Sequence, residues 1–199
     1  MNITQRLFIV IGSLFLLGAC SPIKMPKTET YGLSPVVPGQ MTARYPQQGT
    51  VLVTTPREAA GFKSDKMVYI QHPYQLSYFV KHKWVDNLGV MLQPSILSAL
   101  QSTHHFKSVT GEPFTGMTTW RLDSTVLTLA QNFMTHPSQV DLSIEARLVR
   151  TSTQQIIADK IFTVSVPAPT DTPYGGVIAA NAAVSEYLRQ LVLFITAST

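Results

Sequence analysis

The chain has 199 residues, a formal net charge of +4 and a single cysteine. Charged residues make up 13% of it, about half the usual quarter, while 45% is apolar, so a disordered or strongly charged chain is excluded. The length suits one domain with a sizeable core. One cysteine excludes an internal disulfide framework and a cysteine-rich zinc site. Because the lysines and arginines are scattered, no nucleic-acid partner is predicted.

The first nineteen residues have the layout of a secretory signal. Arg6 is their sole charge and precedes an apolar run at residues 7–17. That run is shorter than the roughly 20 apolar residues that a membrane span needs. It ends in Leu17-Gly18-Ala19-Cys20, which resembles the lipobox at which bacterial lipoproteins are cleaved and acylated.

We therefore predict a signal peptide at residues 1–19, lipidation at Cys20 and a short tether over residues 20–30. The alternatives are a plain signal peptide with a chance cysteine, or an N-terminal anchor helix. Two or three acyl chains would hold the protein stably on a membrane, and the tether would keep it within about 30 Å of that membrane. Ser21 stands where many inner-membrane lipoproteins of Gram-negative bacteria carry Asp, so similarity to the remaining lipoproteins implies the outer membrane.

Residues 31–199 are predicted to form a single domain, and its first half contains short strands and one helix. A β-branched run at residues 50–54 predicts a strand, and Asp86 or Asn87 is the predicted N-cap of a helix that ends near Ser102. Pro94 should kink or delay that helix, because proline lacks a backbone donor. The other expected elements are a strand at 31–37, a loop at 40–49, and a hairpin of strands 66–71 and 75–80.

The second half carries the clearest periodicity. Apolar and polar residues alternate from Val140 to Leu148, and a second alternating run at residues 156–166 completes a predicted antiparallel hairpin. Residues 173–196 have the apolar spacing of a helix. Strands are also expected at 106–109 and at 117–133, the latter with a bulge near Ser124. The predicted fold is α+β: a mixed, largely antiparallel sheet packed against two main helices in a single domain.

The residues that usually carry catalysis form no recognisable constellation in this sequence. No catalytic residue, metal ligand or cofactor is predicted, because the histidines lack a metal-ligand spacing and no phosphate or dinucleotide motif occurs. His104 and His105 are adjacent and should diverge on regular structure. Gly175-Gly176 could bind an anion on free N–H groups at a helix start, but a flexible start of the helix is the favoured interpretation.

An aromatic stretch at residues 69–84 is the best candidate for an interaction surface. Tyrosine and tryptophan are enriched at interfaces, so Tyr74, Tyr78 and Trp84 are predicted to face a partner or lipid. The alternative is ordinary packing of these aromatic residues in the core of a hairpin.

The same stretch carries a resemblance to a known family. Short segments that are similar in order and spacing cover about residues 30 to 195, and they begin at Gly61, Met67, Pro73, Trp84, Met91, Ser138 and Ile157. They resemble the ABC-type transport auxiliary lipoproteins, the family that includes the PqiC type of intermembrane transport lipoprotein. The chain has Asn87-Leu88 where prolines are common in that family.

The resemblance implies a non-catalytic part in lipid transport across the bacterial envelope. The implied partners are an ABC transporter and a periplasmic MCE-domain protein that forms the lipid conduit, which the lipoprotein would dock at the outer membrane. A homo-oligomer would suit docking onto a symmetric conduit. A scaffolding lipoprotein for outer-membrane protein assembly is the alternative, and a secreted hydrolase is a third class without sequence support.

Overall fold

The computed structural model describes residues 27–37 and 48–199. Cys20, the predicted signal peptide and most of the predicted tether and loop lie outside the described residues. Within these ranges, one nine-stranded sheet packs against two helices. The strands are β1 Glu29–Tyr31, β2 Gln48–Val53, β3 Arg57–Glu58, β4 Lys66–Ile70, β5 Ser77–Trp84, β6 Phe106–Gly111, β7 Trp120–Asn132, β8 Gln139–Arg150 and β9 Gln155–Pro167. The helices are α1 Leu88–Ser102 and α2 Pro173–Ser198.

Strand β7 organises the sheet. One of its edges pairs with β8 in antiparallel register over the whole strand, and β8 pairs in the same sense with β9. The other edge of β7 pairs in parallel with β2, then β3, then β4. Strand β6 extends the sheet beyond β2, and β5 and β1 extend it beyond β4. The longest pairings are antiparallel, and the predicted α+β fold with a mixed sheet and two helices is confirmed.

The pattern that predicted β8 also determines which face of the sheet is buried. Val140, Leu142, Ile144, Ala146 and Leu148 are buried, and the polar residues between them are half exposed. Successive side chains of a strand point to opposite faces, so an alternating sequence buries one face only. The core therefore lies between this apolar face and the helices.

Helix α2 covers the apolar face of β8 and β9. It begins after Thr172, whose hydroxyl accepts a hydrogen bond from the Gly175 N–H at 3.1 Å, with Pro173 at the first helical position. The residues of its predicted apolar stripe, from Val177 to Ile195, are buried. Among the described residues α2 is the one helix long and apolar enough to cross a membrane, but half of the relevant window is buried, as in a core helix.

The prediction of a first strand at residues 31–37 was wrong. Strand β1 spans Glu29–Tyr31 and pairs with β5, and the residues that follow it run along α2. The Ser34 N–H donates to Asn181 Oδ1 at 2.5 Å, and the Val36 N–H donates to Ser185 Oγ at 2.9 Å. Polar side chains of a distant helix thus replace the strand partner that the local sequence suggests.

Helix α1 begins where predicted, although its start depends on a different side chain. Asn87 precedes the helix but makes no side-chain cap, and Glu58 Oε1 instead accepts the Gly89 N–H at 2.8 Å. The short strand β3, which was not predicted, places Glu58 there. Pro94 lies inside the helix and does not delay it.

The bulge in β7 is displaced from its predicted position. The register with β8 shifts between Val126 and Thr128 rather than near Ser124. Ser124 keeps the regular alternation and points into the core, where it is buried.

Candidate interaction surface

The first two candidate residues lie in the turn between β4 and β5 and at the start of β5. Tyr74 is fully exposed and adopts a positive φ of 66° in the turn. Tyr78 is 37% exposed, its hydroxyl donates to the Gly61 carbonyl at 3.2 Å, and Lys66 Nζ lies 5.3 Å from its ring centroid. The cation over the aromatic face and the phenolic hydrogen bond hold Tyr78 at the surface.

The third candidate, Trp84, does not belong to this surface. Its side chain is 4% exposed and belongs to the hydrophobic core, and its backbone N–H donates to the Asp65 carbonyl at 2.7 Å. It sits at the end of β5, where β1 and β4 flank the strand on both sides. The core-packing alternative therefore holds for Trp84, and the candidate surface is corrected to exclude it.

Two further apolar side chains complete the exposed region. Val80 is 90% exposed and Leu76 is 41% exposed, both beside the candidate tyrosines in sequence. Gly61 has a φ of +92°, and a Cβ there would lie 3.0 Å from Leu76 Cδ1, so a glycine lets the loop approach this side of the hairpin. We call the four residues Tyr74, Leu76, Tyr78 and Val80 the hairpin surface.

An open groove of about 510 Å³ adjoins the hairpin surface. It is lined by aromatic, aliphatic and charged side chains: Thr28, Asp65, Lys66, Tyr78, Phe79, Val80, His82 and Lys83. Its size lies in the range of small-molecule sites, roughly 300–1,000 Å³, but it opens widely to solvent. The groove therefore extends the hairpin surface rather than forming an enclosed pocket.

Positive charge dominates around the groove. Lys83 Nζ lies 2.8 Å from Asp65 Oδ2, and this hydrogen bond lowers the pKa of Asp65. In the described parts of the chain, no carboxylate forms a salt bridge with Lys63, Lys66 or Lys81. Two carboxylates therefore lie by the groove, Asp65 paired with Lys83 and Glu29 beside His82, while Lys66 lines the groove without a salt bridge to either.

A cluster of aromatic rings joins β4 and β5 of the hairpin to the residue that follows β7. Tyr69 and Phe79 lie 4.6 Å apart between ring centroids, and Phe133 contacts both edge-on. His82 connects this cluster to Tyr31, whose ring stacks on it at 6.0 Å. Phe133 and Tyr31 were missed by sequence reasoning because they are far away along the chain, and only their aromatic character hinted at such a role.

The carboxylate of Glu29 fixes Tyr31 within this cluster. The Tyr31 hydroxyl donates a hydrogen bond to Glu29 Oε2, which raises the pKa of Tyr31 to about 12. The same carboxylate oxygen lies 3.4 Å from His82 Nδ1. Strand β1 is thereby attached to β5 by side chains as well as by backbone pairing.

The two glycines at the start of α2 have a packing role. The N–H groups of Gly175 and Gly176 both donate to Thr172, to its hydroxyl and its carbonyl respectively. A Cβ would lie 2.1 Å from the Thr170 carbonyl at Gly175 and 2.3 Å from Gln131 Oε1 at Gly176. This helix start is closely packed, which argues against both an anion site and a flexible segment.

The histidines are spread over separate environments. His105 Nε2 lies 2.6 Å from Thr199 Oγ1, and burial lowers the pKa of His105. His104 adopts a positive φ of 52° just after α1. Over residues 27–37 and 48–199, no group of three or more His, Cys, Asp or Glu side chains is placed to hold a metal ion.

Solved structures of other proteins share this fold. A crystal structure of a protein from Xanthomonas campestris has a TM-score of 0.73 at 20% identity, covering 84% of this chain and 96% of that chain. A second crystal structure, of an uncharacterized protein, has a TM-score of 0.68 at 15% identity and covers 85% of this chain and 99% of its own. A PelC dodecamer from Paraburkholderia phytofirmans is more distant, with a TM-score of 0.45 at 12% identity and coverages of 78% and 91%. These identities show a shared fold for the first two and carry no further argument.

The family follows from the sequence itself. The model of the family described as ABC-type transport auxiliary lipoprotein component matches residues 31–192. The chain therefore belongs to this family, as the resemblance in the sequence implied. None of the curated proteins compared with the chain matches it significantly.

Proposed function

We propose that this protein is a lipid-anchored, non-catalytic auxiliary component of an ABC and MCE-type system that moves lipid between the membranes of a Gram-negative envelope. The observation that carries the proposal is the family match over residues 31–192, because that family is defined as a transport auxiliary lipoprotein component. Its task would be to dock the periplasmic MCE conduit at the outer membrane, so that an apolar lipid crosses the aqueous periplasm shielded from water.

Lipidation at Cys20 supplies the anchor in this proposal. Cys20 follows Leu17-Gly18-Ala19 in the lipobox-like segment, and the described domain begins seven residues later at Lys27. Two or more acyl chains on this cysteine would anchor the domain stably, whereas a single chain binds a membrane only reversibly. We place this anchor on the periplasmic face of the outer membrane. The choice of the outer membrane rests on Ser21 and on analogy.

The exposed hairpin surface supports an interaction role for the domain. Tyr74 and Tyr78 present aromatic area to solvent on a hairpin that β1, β4 and the aromatic cluster hold in place. Exposed aromatic residues on a supported element are typical of surfaces that bind a partner or a lipid. We propose that Tyr74 and Tyr78 belong to such a surface.

The test is chemical crosslinking in envelope extracts, followed by purification through a C-terminal tag and identification of the attached proteins. We expect an MCE-domain protein and ABC components with the wild-type chain, and less of both with Cys20→Ser. Recovery of neither component overturns the proposal. Recovery of an outer-membrane β-barrel in their place favours the alternative, a scaffold for outer-membrane protein assembly. A homo-oligomer would appear as crosslinks between copies of this chain.

A further inference from the structure

We infer that the hairpin surface and its lysines rest on the anionic lipid bilayer to which the chain is anchored. This inference rests on the proposed lipidation of Cys20 and names the ligand of the surface, which the family does not. It is carried by the composition of the surface, by the unpaired charges around it, and by the place where the N-terminal segment joins the sheet.

The composition distinguishes a bilayer from a protein partner. The hairpin surface combines two exposed tyrosines with Leu76 and the almost fully exposed Val80. Of the exposed lysines, Lys66 lies over the Tyr78 ring, Lys81 directly follows Val80, and Lys63 is two residues from Gly61, whose carbonyl accepts the Tyr78 hydroxyl. Lysine is depleted in protein–protein interfaces, where a buried ammonium group loses its water. At the interface of a bilayer, tyrosine rings sit at headgroup level and lysine stems bury their methylenes while the ammonium reaches the phosphates.

The charges around the groove favour anionic lipid. The Asp65 carboxylate is paired with Lys83 at 2.8 Å, and Lys66 Nζ lies over the Tyr78 ring and forms no salt bridge within the described residues. Each lysine close to an anionic bilayer raises the binding constant about fivefold. Three such lysines would orient an anchored domain, although they would not by themselves hold a free protein on the membrane.

The tether reaches the domain on this same side. Glu29 of β1 lies opposite His82 of β5 in parallel register, and the exposed Lys27 stands just before that strand. The seven residue steps from Cys20 to Lys27 span at most about 25 Å. An anchored chain therefore holds β5 and the groove next to it close to the bilayer.

The experiment uses the full lipidated protein in vesicles of phosphatidylethanolamine and phosphatidylglycerol. A cysteine introduced by Val80→Cys is labelled with an environment-sensitive fluorophore, and the matched control is Thr163→Cys on the exposed polar side of β9. An acylated Cys20 carries a thioether and does not react with the label. We expect a lipid-embedded nitroxide to quench the label at position 80 at least threefold more than the label at position 163.

A second pair of variants tests the charges. Lys63→Gln with Lys81→Gln should lower the quenching of the position-80 label severalfold, whereas Lys107→Gln with Lys160→Gln should leave it unchanged. Equal quenching at positions 80 and 163 overturns the inference. So does a label at position 80 that stays in water on vesicles and is covered only when an MCE-domain protein is added, because the surface then binds protein.

Flotation of the vesicles separates a failure of the anchor from a failure of the inference. A chain that does not float with the vesicles overturns the lipid anchor and this inference together. A chain that floats while its position-80 label remains in water overturns the inference alone.

Discussion

The side-chain amide of Gln131 lies directly against the backbone of Gly176, joining the end of β7 to the first turn of α2. Gln131 Nε2 donates to Ser138 Oγ at 3.0 Å and to the Thr172 carbonyl at 3.1 Å, while Oε1 faces the glycine. Gln131 is buried, so its two hydrogen bonds form away from water and fix its position. This contact explains why a glycine occupies the beginning of the longest helix.

Gly176→Ala should destabilise the domain. The new Cβ would lie 2.3 Å from Gln131 Oε1, and Gln131 cannot retreat without losing its two hydrogen bonds. We expect a loss of about 1–3 kcal/mol in the free energy of unfolding, despite the better helix propensity of alanine. Denaturant unfolding measures it. Gly32→Ala is the control, because its Cβ would meet only Val85 at 4.0 Å; equal stabilities of the two variants would contradict this packing.

Tyr187→Phe should leave the stability unchanged or raise it by up to about 1 kcal/mol. Within the described residues, the Tyr187 hydroxyl is buried beside the Ser124 hydroxyl in a geometry too poor for a full hydrogen bond, and burial raises the pKa of Tyr187. Removing an unsatisfied hydroxyl removes a desolvation cost and keeps the ring, which packs edge-on against Phe162 at 5.4 Å.

The control for this prediction is Tyr187→Leu, which removes the ring contact and should cost about 2–4 kcal/mol. Both variants are compared with the wild type by thermal or denaturant unfolding. A loss of more than about 1.5 kcal/mol in Tyr187→Phe would show that the hydroxyl is hydrogen-bonded in solution.

The contribution of Glu186 to the stability of the fold should depend on pH. Hydrogen bonds from Arg189 and Gln190 lower the pKa of Glu186 to about 2 from an ordinary 4.5. A carboxyl group with a lowered folded-state pKa stabilises the protein fully above its unfolded-state pKa and loses that effect as the pH falls. The stabilisation is therefore present above about pH 5 and disappears between pH 4.5 and 2.

Urea midpoints of the wild type and Glu186→Gln at several pH values measure this effect. The wild type should be the more stable at pH 6, and the difference should shrink toward pH 2. Arg189→Gln removes the main partner and should abolish most of this pH dependence. A difference that stays constant from pH 6 to pH 2.5 would contradict the assignment.

Cys20→Ser should abolish fatty-acid labelling and release the chain from the membrane fraction, because the serine hydroxyl does not replace the thiol as the acyl acceptor. Labelling with a radioactive fatty acid in growing cells measures this directly. Ser21→Ala is the matched control and should be labelled normally. A labelled Cys20→Ser chain would refute lipidation at this position.

The sequence predicted those parts of the fold in which local pattern and burial agree. The alternation from Val140 to Leu148 and the apolar stripe of α2 each specify one buried face, and the structure confirms both. The positions of β1 and β3 could not be predicted from the sequence, because their pairing depends on strands far away in the chain. The capping of α1 by Glu58 arises in the same way, since a carboxylate 31 residues away takes the place of a local cap.

The candidate surface was predictable only in part. Aromatic residue types pointed to the right hairpin, but residue type does not tell an exposed ring from a buried one, so Trp84 was assigned to the surface beside Tyr74 and Tyr78. The groove needs Thr28 and Asp65 as well as β5, and their proximity is a property of the folded sheet. The prediction at Cys20 lies outside the described residues and stays a prediction.

In the proposed function, this chain works with an MCE conduit while anchored to a membrane. The most direct measurement is the reciprocal purification of a tagged MCE-domain protein from crosslinked envelopes, with quantification of this chain in the isolated complex. The proposal predicts that the wild-type chain is recovered at a level well above that of an unrelated outer-membrane lipoprotein, and that Cys20→Ser lowers the recovery severalfold. A wild-type chain recovered no better than the unrelated lipoprotein would contradict it.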